Sequence, residues 1–544
     1  MGAYQELNLV CVIALLAILP VSAVLMLLLP ARIAVATTFV IGWLFLPQAQ
    51  IELPGALPDW DRAIAIGVSL LAGVVVLDGG RLLRLRPSLL DLPVGLYCLA
   101  VPMASSISND LGAYDGLAQA VGIVSMLGVP YLIGRIYFSD AEGLRVLALA
   151  VLAAGLIYMP LCMWEMRFSP QLHRTLYGFH QHHIYQSYRY GGYRPVLFLQ
   201  HGLAVAMLMT CATLQGFWLW TTGNLGRRQA ELGMALVVLA ATTVFCKSFG
   251  AMLLLAAGGG ALLAIRHLGT ALPLLLLSLV PPGYMALRTS GAWDGSTPTL
   301  GEVDAQREHS YTFRIYNETL LMDKALEQPV FGWGGWGRGA VINEESGRST
   351  VADGAWIIVL SRYGLFGLTV FTVTYLLPVW LFLGAAGPPS RWHRPEVAAG
   401  ASLAVMLSIY MVDNLMNAMS SPFNLLAVGG LTGWLVAGRQ ARAPQRARAL
   451  DDETARLVAA AVRRWGRIEV ERRLALAAES ARALGPELEQ AYAPGFASLL
   501  LTLDPAQADL FQSASAQGRR AVVERWLGAD REGAACPASA AAAP

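Results

Sequence analysis

Residues 349–368, STVADGAWIIVLSRYGLFGL, join a polar loop to an apolar run that continues to about residue 383. A hydrocarbon core of about 30 Å needs roughly 17 to 25 apolar residues in helical form. A helix is required there because lipid offers no partner to a free N–H or C=O. The run therefore predicts a membrane helix. Two charges flank or interrupt it: Asp353, just before Trp356, and Arg362, inside the run. Asp353 suits either an N-cap, a position that favours Asp, or chemistry.

The rest of the chain repeats this pattern. Of its 544 residues, 56% are hydrophobic and only 14% charged, against about 25% charged in soluble proteins. Apolar windows fall near 7–29, 31–47, 63–77, 93–107, 117–137, 144–164, 196–220, 231–248, 249–266, 269–286, 356–383, 397–413 and 422–438. They predict an all-α polytopic membrane protein with about 12–14 transmembrane helices. The opening stretch MGAYQELNLVCVIALLAILPVSAVLMLLLP lacks a basic n-region and reads as a retained span rather than a signal peptide. If the first two windows form one unit, the side of the N-terminus changes. The six cysteines have neither zinc nor CxxC spacing, so no metal or redox work is signalled. The net charge of +2, with basic residues mostly in short loops, gives no sign of nucleic acid.

Lys and Arg accumulate in cytoplasmic loops. Arg81, Arg84, Arg86, Arg227, Arg228, Arg266, Arg391, Arg394 and the tail entry Arg439–Arg448 fall in one set of alternate loops. The opposite set contains the acidic QIELPGALPDWDR and SNDLGAYDG. The basic set is expected to be cytoplasmic. Two long loops, about 165–195 and 287–355, then lie outside despite their own arginines. Residues 1–438 form the membrane domain. Residues 439–544 read as a cytoplasmic helical tail with a disordered end.

The first long loop, MRFSPQLHRTLYGFHQHHIYQSYRYGGYRPVLFLQHGLA, is dense in Tyr, Phe and His. Such side chains suit sugar stacking, and equally an interfacial aromatic belt. Arg189, Tyr193 and His201 belong to it. Arg194 follows GGY at the mouth of a span, where an arginine usually marks an anionic ligand or a pathway. In VFCKSFGAM, Lys247 lies between two apolar runs at the outer side. The second loop carries SYTFRIYNETLLMDKALEQPVFGWGGWGRG. Ser310 can cap a helix there, with Tyr311, Arg314 and Glu318 on one face. GWGGWGRG lacks the Lys-Ser/Thr of a P-loop and reads as a flexible turn carrying Trp333 and Trp336.

In order, YRPVLFLQHGLA, KSFG, R…N…L…A…P…GWGGWG and WIIVL…GLFGL make residues 60–440 resemble the O-antigen ligase and Wzy-type polymerase superfamily. These bacterial inner-membrane enzymes move glycans from an undecaprenyl-diphosphate carrier. The resemblance implies that Arg194 and Arg314 hold the carrier diphosphate, with Lys247 adding charge nearby. Arginine suits that role because its planar fork binds phosphate bidentately and stays charged. Transfer would need no metal and no cofactor, the cations stabilising the leaving group.

Asp353 stands where the ligases usually carry a histidine. An ordinary Asp is a weaker base than His by roughly 3.5 kcal/mol, unless burial raises its pKa. Asp353 is expected to act as base, as acceptor orienter or as cap; Trp356 and Arg362 follow it as candidate contacts. The missing histidine favours a polymerase of exopolysaccharide or O-antigen repeat units over a ligase to lipid A-core. Expected partners are lipid-linked glycans, membrane lipids, and chain-length or export proteins. Two further readings are a metal-dependent polyprenyl-phosphate transferase using Asp59 and Asp61, and a transporter or flippase.

Overall fold

The computed structural model describes residues 8–54, 58–225, 229–296, 305–335, 337–342 and 349–438, with Arg473 and Leu476 in the tail. Residues Met1–Ala437 form one compact unit and Gly438–Pro544 another. The expected helical character of the tail falls outside the described residues.

Within the first unit the chain is helical, with one two-stranded hairpin among the described residues. The helices are α1 (Leu9–Leu28), α2 (Ala31–Phe45), α3 (Arg62–Leu77), α4 (Leu89–Ser108), α5 (Gly112–Tyr137), α6 (Ala141–Phe168) and α7 (Gly202–Thr221). They continue as α8 (Gln229–Phe245), α9 (Phe249–Leu268), α10 (Leu272–Thr289), α11 (Ala305–Leu326), α12 (Ala355–Ala385), α13 (Pro395–Asp413) and α14 (Pro422–Gly438). Nine of the described helices are long and apolar enough to cross a membrane, and α2, α3, α14 and most of α8 are shorter apolar helices. Every apolar window corresponds to one of these helices. The chain is a multi-pass, all-α membrane protein.

Helices α7 and α13 occupy the centre of the bundle, whereas α1 is mostly exposed at its edge. The sequence explains the difference. A lipid-facing helix must be apolar on every exposed side, but a central one needs small residues and internal partners for polar ones. In α13 the run Ala398–Ala404 supplies the small residues. There, Ser402 Oγ donates to Gln215 Oε1 on α7 at 2.6 Å and Trp218 Nε1 donates to Ala398 O at 2.7 Å.

Two expectations about boundaries are corrected. The window 196–220 begins too early, because α7 starts at Gly202 and Val196–Leu199 belong to a buried non-helical loop. Ser310 is not a cap: α11 already includes Ala305, so Ser310 lies inside it. The N-terminal ambiguity is also reduced. Asn8 Nδ2 donates to Tyr177 O in the first long loop at 2.7 Å, while Arg32 pairs with Asp140 at the other end of α1 and α2. Helix α1 therefore starts on the face that carries the long loops.

Helix α12 has 31 residues and contains a break at Gly364, where φ is 63° and ψ is −166°. At 1.5 Å per residue, 355–363 forms a short arm and 365–385 a segment of about bilayer length. The orphaned backbone groups at the break are paired by residues 329–334. Leu365 N donates to Pro329 O at 2.7 Å, Phe366 N to Val330 O at 3.1 Å, and Trp333 N to Ser361 O at 2.9 Å. The GWGGWG segment is thus a pinned strap wherever it is described, and not the flexible turn expected.

Candidate functional site

Two strands, Tyr188–Arg189 and Gly192–Tyr193, form a hairpin with Tyr190 and Gly191 both at positive φ. That is the backbone of a type I′ turn, whose twist matches paired strands. It delivers Arg194, whose N–H donates to Ser187 O at 2.7 Å. The side chain of Arg194 is buried, and its Nη2 donates to Lys247 O at 2.7 Å. Its Nε is buried with no hydrogen-bond partner among the described residues. Burial first, then Arg189 and Arg314 nearby, lower the Arg194 pKa to about 10. The guanidinium still carries its charge at neutral pH, with donor capacity unspent.

Lys247 is itself held at φ 53°, between α8 and α9. Its ammonium donates to Arg189 O and Tyr190 O, each at 3.2 Å. Lys247 therefore binds the hairpin back to the α8–α9 turn, while its carbonyl holds Arg194. Arg194, Lys247 and Arg189 lie together, and Lys247 spends donors on protein carbonyls. Tyr193 is half-exposed and packs edge-on against Tyr188 at 5.6 Å between ring centroids.

His201 is the N-cap of α7, its Nδ1 accepting from Leu203 N at 3.0 Å. Its ring also meets His182 at 4.3 Å between centroids. Burial, with His182, Arg194, Arg314 and Arg189 around it, pushes the His201 pKa down to about 3. It is a neutral imidazole that caps α7 through Nδ1 beside the cations.

The second loop brings Arg314 to Asp353. Arg314 Nε stands 3.3 Å from Asp353 Oδ2, with about a third of each side chain exposed. Asp353 is not the cap of α12. Gly354 holds the cap position, and the first N–H groups of the helix go to the Asn414 and Asn417 carbonyls. The carboxylate is thus left for Arg314. Burial raises the Asp353 pKa above the ordinary carboxylate value, and Arg314 opposes that rise.

Tyr311, Arg314 and Glu318 do share a face of α11, yet they do different things. Tyr311 Oη donates to Gly295 O at 2.8 Å. Glu318 is buried and accepts from Arg288 Nε and Tyr284 Oη, each at 2.8 Å, and from Trp356 Nε1 at 3.2 Å. Trp356 is wholly buried in that network. No face of the ring is open in this structure; an indole that follows an apolar loop edge packs inward when a buried carboxylate can take its N–H.

Trp333, partly buried, is also held by the protein. Its Nε1 donates to Lys324 O at 2.6 Å and its ring lies under the Lys324 ammonium at 3.9 Å. Arg362 stands at the Gly364 break, where its carbonyl accepts from Ser105 Oγ at 2.8 Å and from Gly334 N at 2.9 Å. Its guanidinium is exposed, over the Tyr363 ring at 5.9 Å. Asp353 pairs with Arg314 and not with Arg362. Trp336 lies outside the described residues.

Two acids that frame the site went unrecognised in the sequence. Glu165, 1% exposed, uses Oε2 to accept from Val196 N at 2.8 Å and Leu197 N at 2.9 Å, and Oε1 to accept from Leu172 N at 3.0 Å. It fixes the turn that follows Arg194, including Leu197 at φ 52°. Asp413, at the end of α13, accepts from Asn417 Nδ2 at 2.7 Å and so braces the segment that caps α12. An acid inside an apolar run was the signal for Glu165, and the string DNLMN was the signal for Asp413.

Beside the capping segment an apolar cavity of about 140 Å³ is lined by Trp43, Phe371, Tyr375 and Tyr410, with Asn414 and Ala355 at its polar edge. No group of three or more metal-ligating side chains is found among the described residues. The chain matches no protein-family model and no functionally characterised protein.

Proposed function

We propose that this chain is an inner-membrane glycan polymerase. It joins undecaprenyl-diphosphate-linked repeat units of an exopolysaccharide or O-antigen by inverting glycosyl transfer on the periplasmic face. The observation that carries this reading is a cation-rich site, Arg194 with Arg189 and Arg314 near it, with the carboxylate Asp353 paired to Arg314. Excess positive charge with an unspent buried guanidinium donor calls for an anion, and a planar fork favours phosphate oxygens.

In the proposed reaction the acceptor hydroxyl oxygen attacks the anomeric carbon of the donor glycan. The bond from that carbon to the diphosphate oxygen breaks, and the electron pair leaves with the diphosphate. Arg194 and Arg314 offset the charge that develops there, a form of electrostatic stabilisation that acts where charge appears. The hydroxyl proton passes to Asp353, whose raised pKa makes it a better base than an ordinary carboxylate. The aromatic cavity next to Asn414 supports a lipid-borne donor, because it offers apolar surface within reach of the polar site.

The deciding experiment supplies lipid-linked repeat units to the purified protein in vesicles. Elongation of the lipid-linked chain is expected. Transfer to lipid A-core instead would mean a ligase, and loss of activity with chelator would mean a metal-dependent transferase.

A further inference from the structure

A second site lies away from these cations and does not depend on the transferase reading. At the opposite end of the bundle, the ends of α7 and α9 and the start of α8 enclose a cleft of about 330 Å³. That falls within the range of ligand pockets, about 300–1,000 Å³. Its floor is apolar, with Phe217, Leu262 and Leu263, and its rim carries Trp220, Arg266 and His267. Trp220 is fixed by a reciprocal pair: its Nε1 donates to Gln229 O, and Gln229 Nε2 donates to Trp220 O, each at 3.0 Å.

Arg266 and His267 are exposed, and neither has a hydrogen-bond or ion-pair partner among the described residues. The turn that holds them, Ala264–Leu268, packs on Pro389–Arg391, which adds the exposed cations Arg391 and Arg394 to the same face. Among the described residues, the exposed acids on the neighbouring elements are Glu231, Glu396 and, on α6, Glu142, which pairs with Arg145. This is the loop set where the basic residues accumulate, the side that meets anionic headgroups under the positive-inside rule.

Two simpler accounts compete. The carbonyl ends of α7 and α9 point toward the cleft and attract cations, and arginines at helix ends reach for the interface. Both explain a positive charge. Neither calls for a cleft with an apolar floor beside a fixed indole.

We propose that this cleft binds an anionic phospholipid. The phosphate would sit on Arg266 and His267, the glycerol region against Trp220, and an acyl chain along Phe217 and the exposed Leu263. Basic pockets between membrane helices on this side are suited to such headgroups.

The test uses the full-length protein in neutral detergent, with thermal unfolding and native mass spectrometry as readouts. Dioleoyl phosphatidylglycerol, dioleoyl phosphatidylcholine and inorganic phosphate are added separately. Phosphatidylglycerol is expected to raise Tm by several degrees more than phosphatidylcholine and to persist as a bound adduct, with no effect of phosphate. Arg266→Ala with His267→Ala should lose at least half of that shift, and Arg391→Ala, outside the cleft, should keep it. Equal stabilisation by phosphatidylcholine would overturn the proposal. So would the same effect from phosphate alone, an undiminished shift in the double variant, or an equal loss in Arg391→Ala, which would mean a diffuse surface field.

Discussion

Arg314 Nε stands 3.3 Å from Asp353 Oδ2, and Asp353 makes no capping bond to the helix that follows it. The carboxylate comes from the loop before α12 and the guanidinium from α11, so the pair ties the two parts of the second long loop together. Being about one-third exposed, it is worth at most about 1 kcal/mol as an ion pair. The pair therefore adds little to stability by itself.

Asp353→Asn should therefore separate function from fold. The amide retains the size of the side chain and Gly354 remains the cap. Tm in detergent should change by no more than a few degrees, and polymer formation should fall by about 100-fold or more, in the range of lost general-base catalysis. Normal polymer in this variant would leave Asp353 without a catalytic role.

Arg194 is held by a narrow set of contacts. A Cβ placed on Gly202 would come within 2.4 Å of Arg194 Cδ. Gly202→Ala should displace that side chain and lower activity by roughly the same factor as Arg194→Ala, about 100- to 1,000-fold by analogy with lost transition-state donors. Arg194→Lys should recover only part of it, because an ammonium lacks the fork. Rates measured with membrane-inserted protein, quantified by blot, check this.

The pH profile should show one acid limb, set by Asp353. Its pKa is raised, so the carboxylate is lost as pH falls through a value above the ordinary 3.8. Asp353→Asn removes the limb along with the activity. His201 has a folded pKa of about 3 against an ordinary 6.5, so it stays neutral in the folded protein across the working range and adds no limb near 6.5. The sign of its linkage is also fixed. The unfolded chain takes up that proton first, so stability declines as pH falls below about 6.5. His201→Gln should flatten that decline in a series of Tm measurements against pH.

Gly364→Ala should destabilise the protein without touching the cations. Gly364 sits at φ 63°, and a Cβ there would lie 2.4 Å from Val330 C and O. Strain in this backbone region costs of order 1–3 kcal/mol, and the clash would lift the 329–334 strap from the break in α12. A lower Tm and faster proteolysis near residues 329–339 are expected, with insertion preserved.

The membrane architecture was legible because hydrocarbon imposes it one residue at a time. Each apolar window had to contain a helix, and each does, although residues 196–201 of one window stay outside it. The Gly364 break was hidden, since a glycine among apolar residues looks the same whether the helix passes through or stops. Pairing by 329–334 decides it, and that strap is distant in sequence from the residues it serves. Trp356 and Trp333 looked like ligand aromatics, yet Glu318 and Lys324 claim them, a choice that only packing makes.

Composition and hydrophobic period alone thus determined a multi-pass helical bundle, its window boundaries within a few residues, and the two polar loops that carry charge. Which charges meet was decided by tertiary structure. Asp353 joins Arg314 rather than capping α12 or reaching Arg362, because the Asn414 and Asn417 carbonyls already take the first N–H groups of that helix. Glu165 and Lys247 fix Arg194 through backbone groups that carry no residue-specific signature. Lipid exclusion acts on every residue and is written in the chain; the pairing of polar groups depends on which segments fold next to each other.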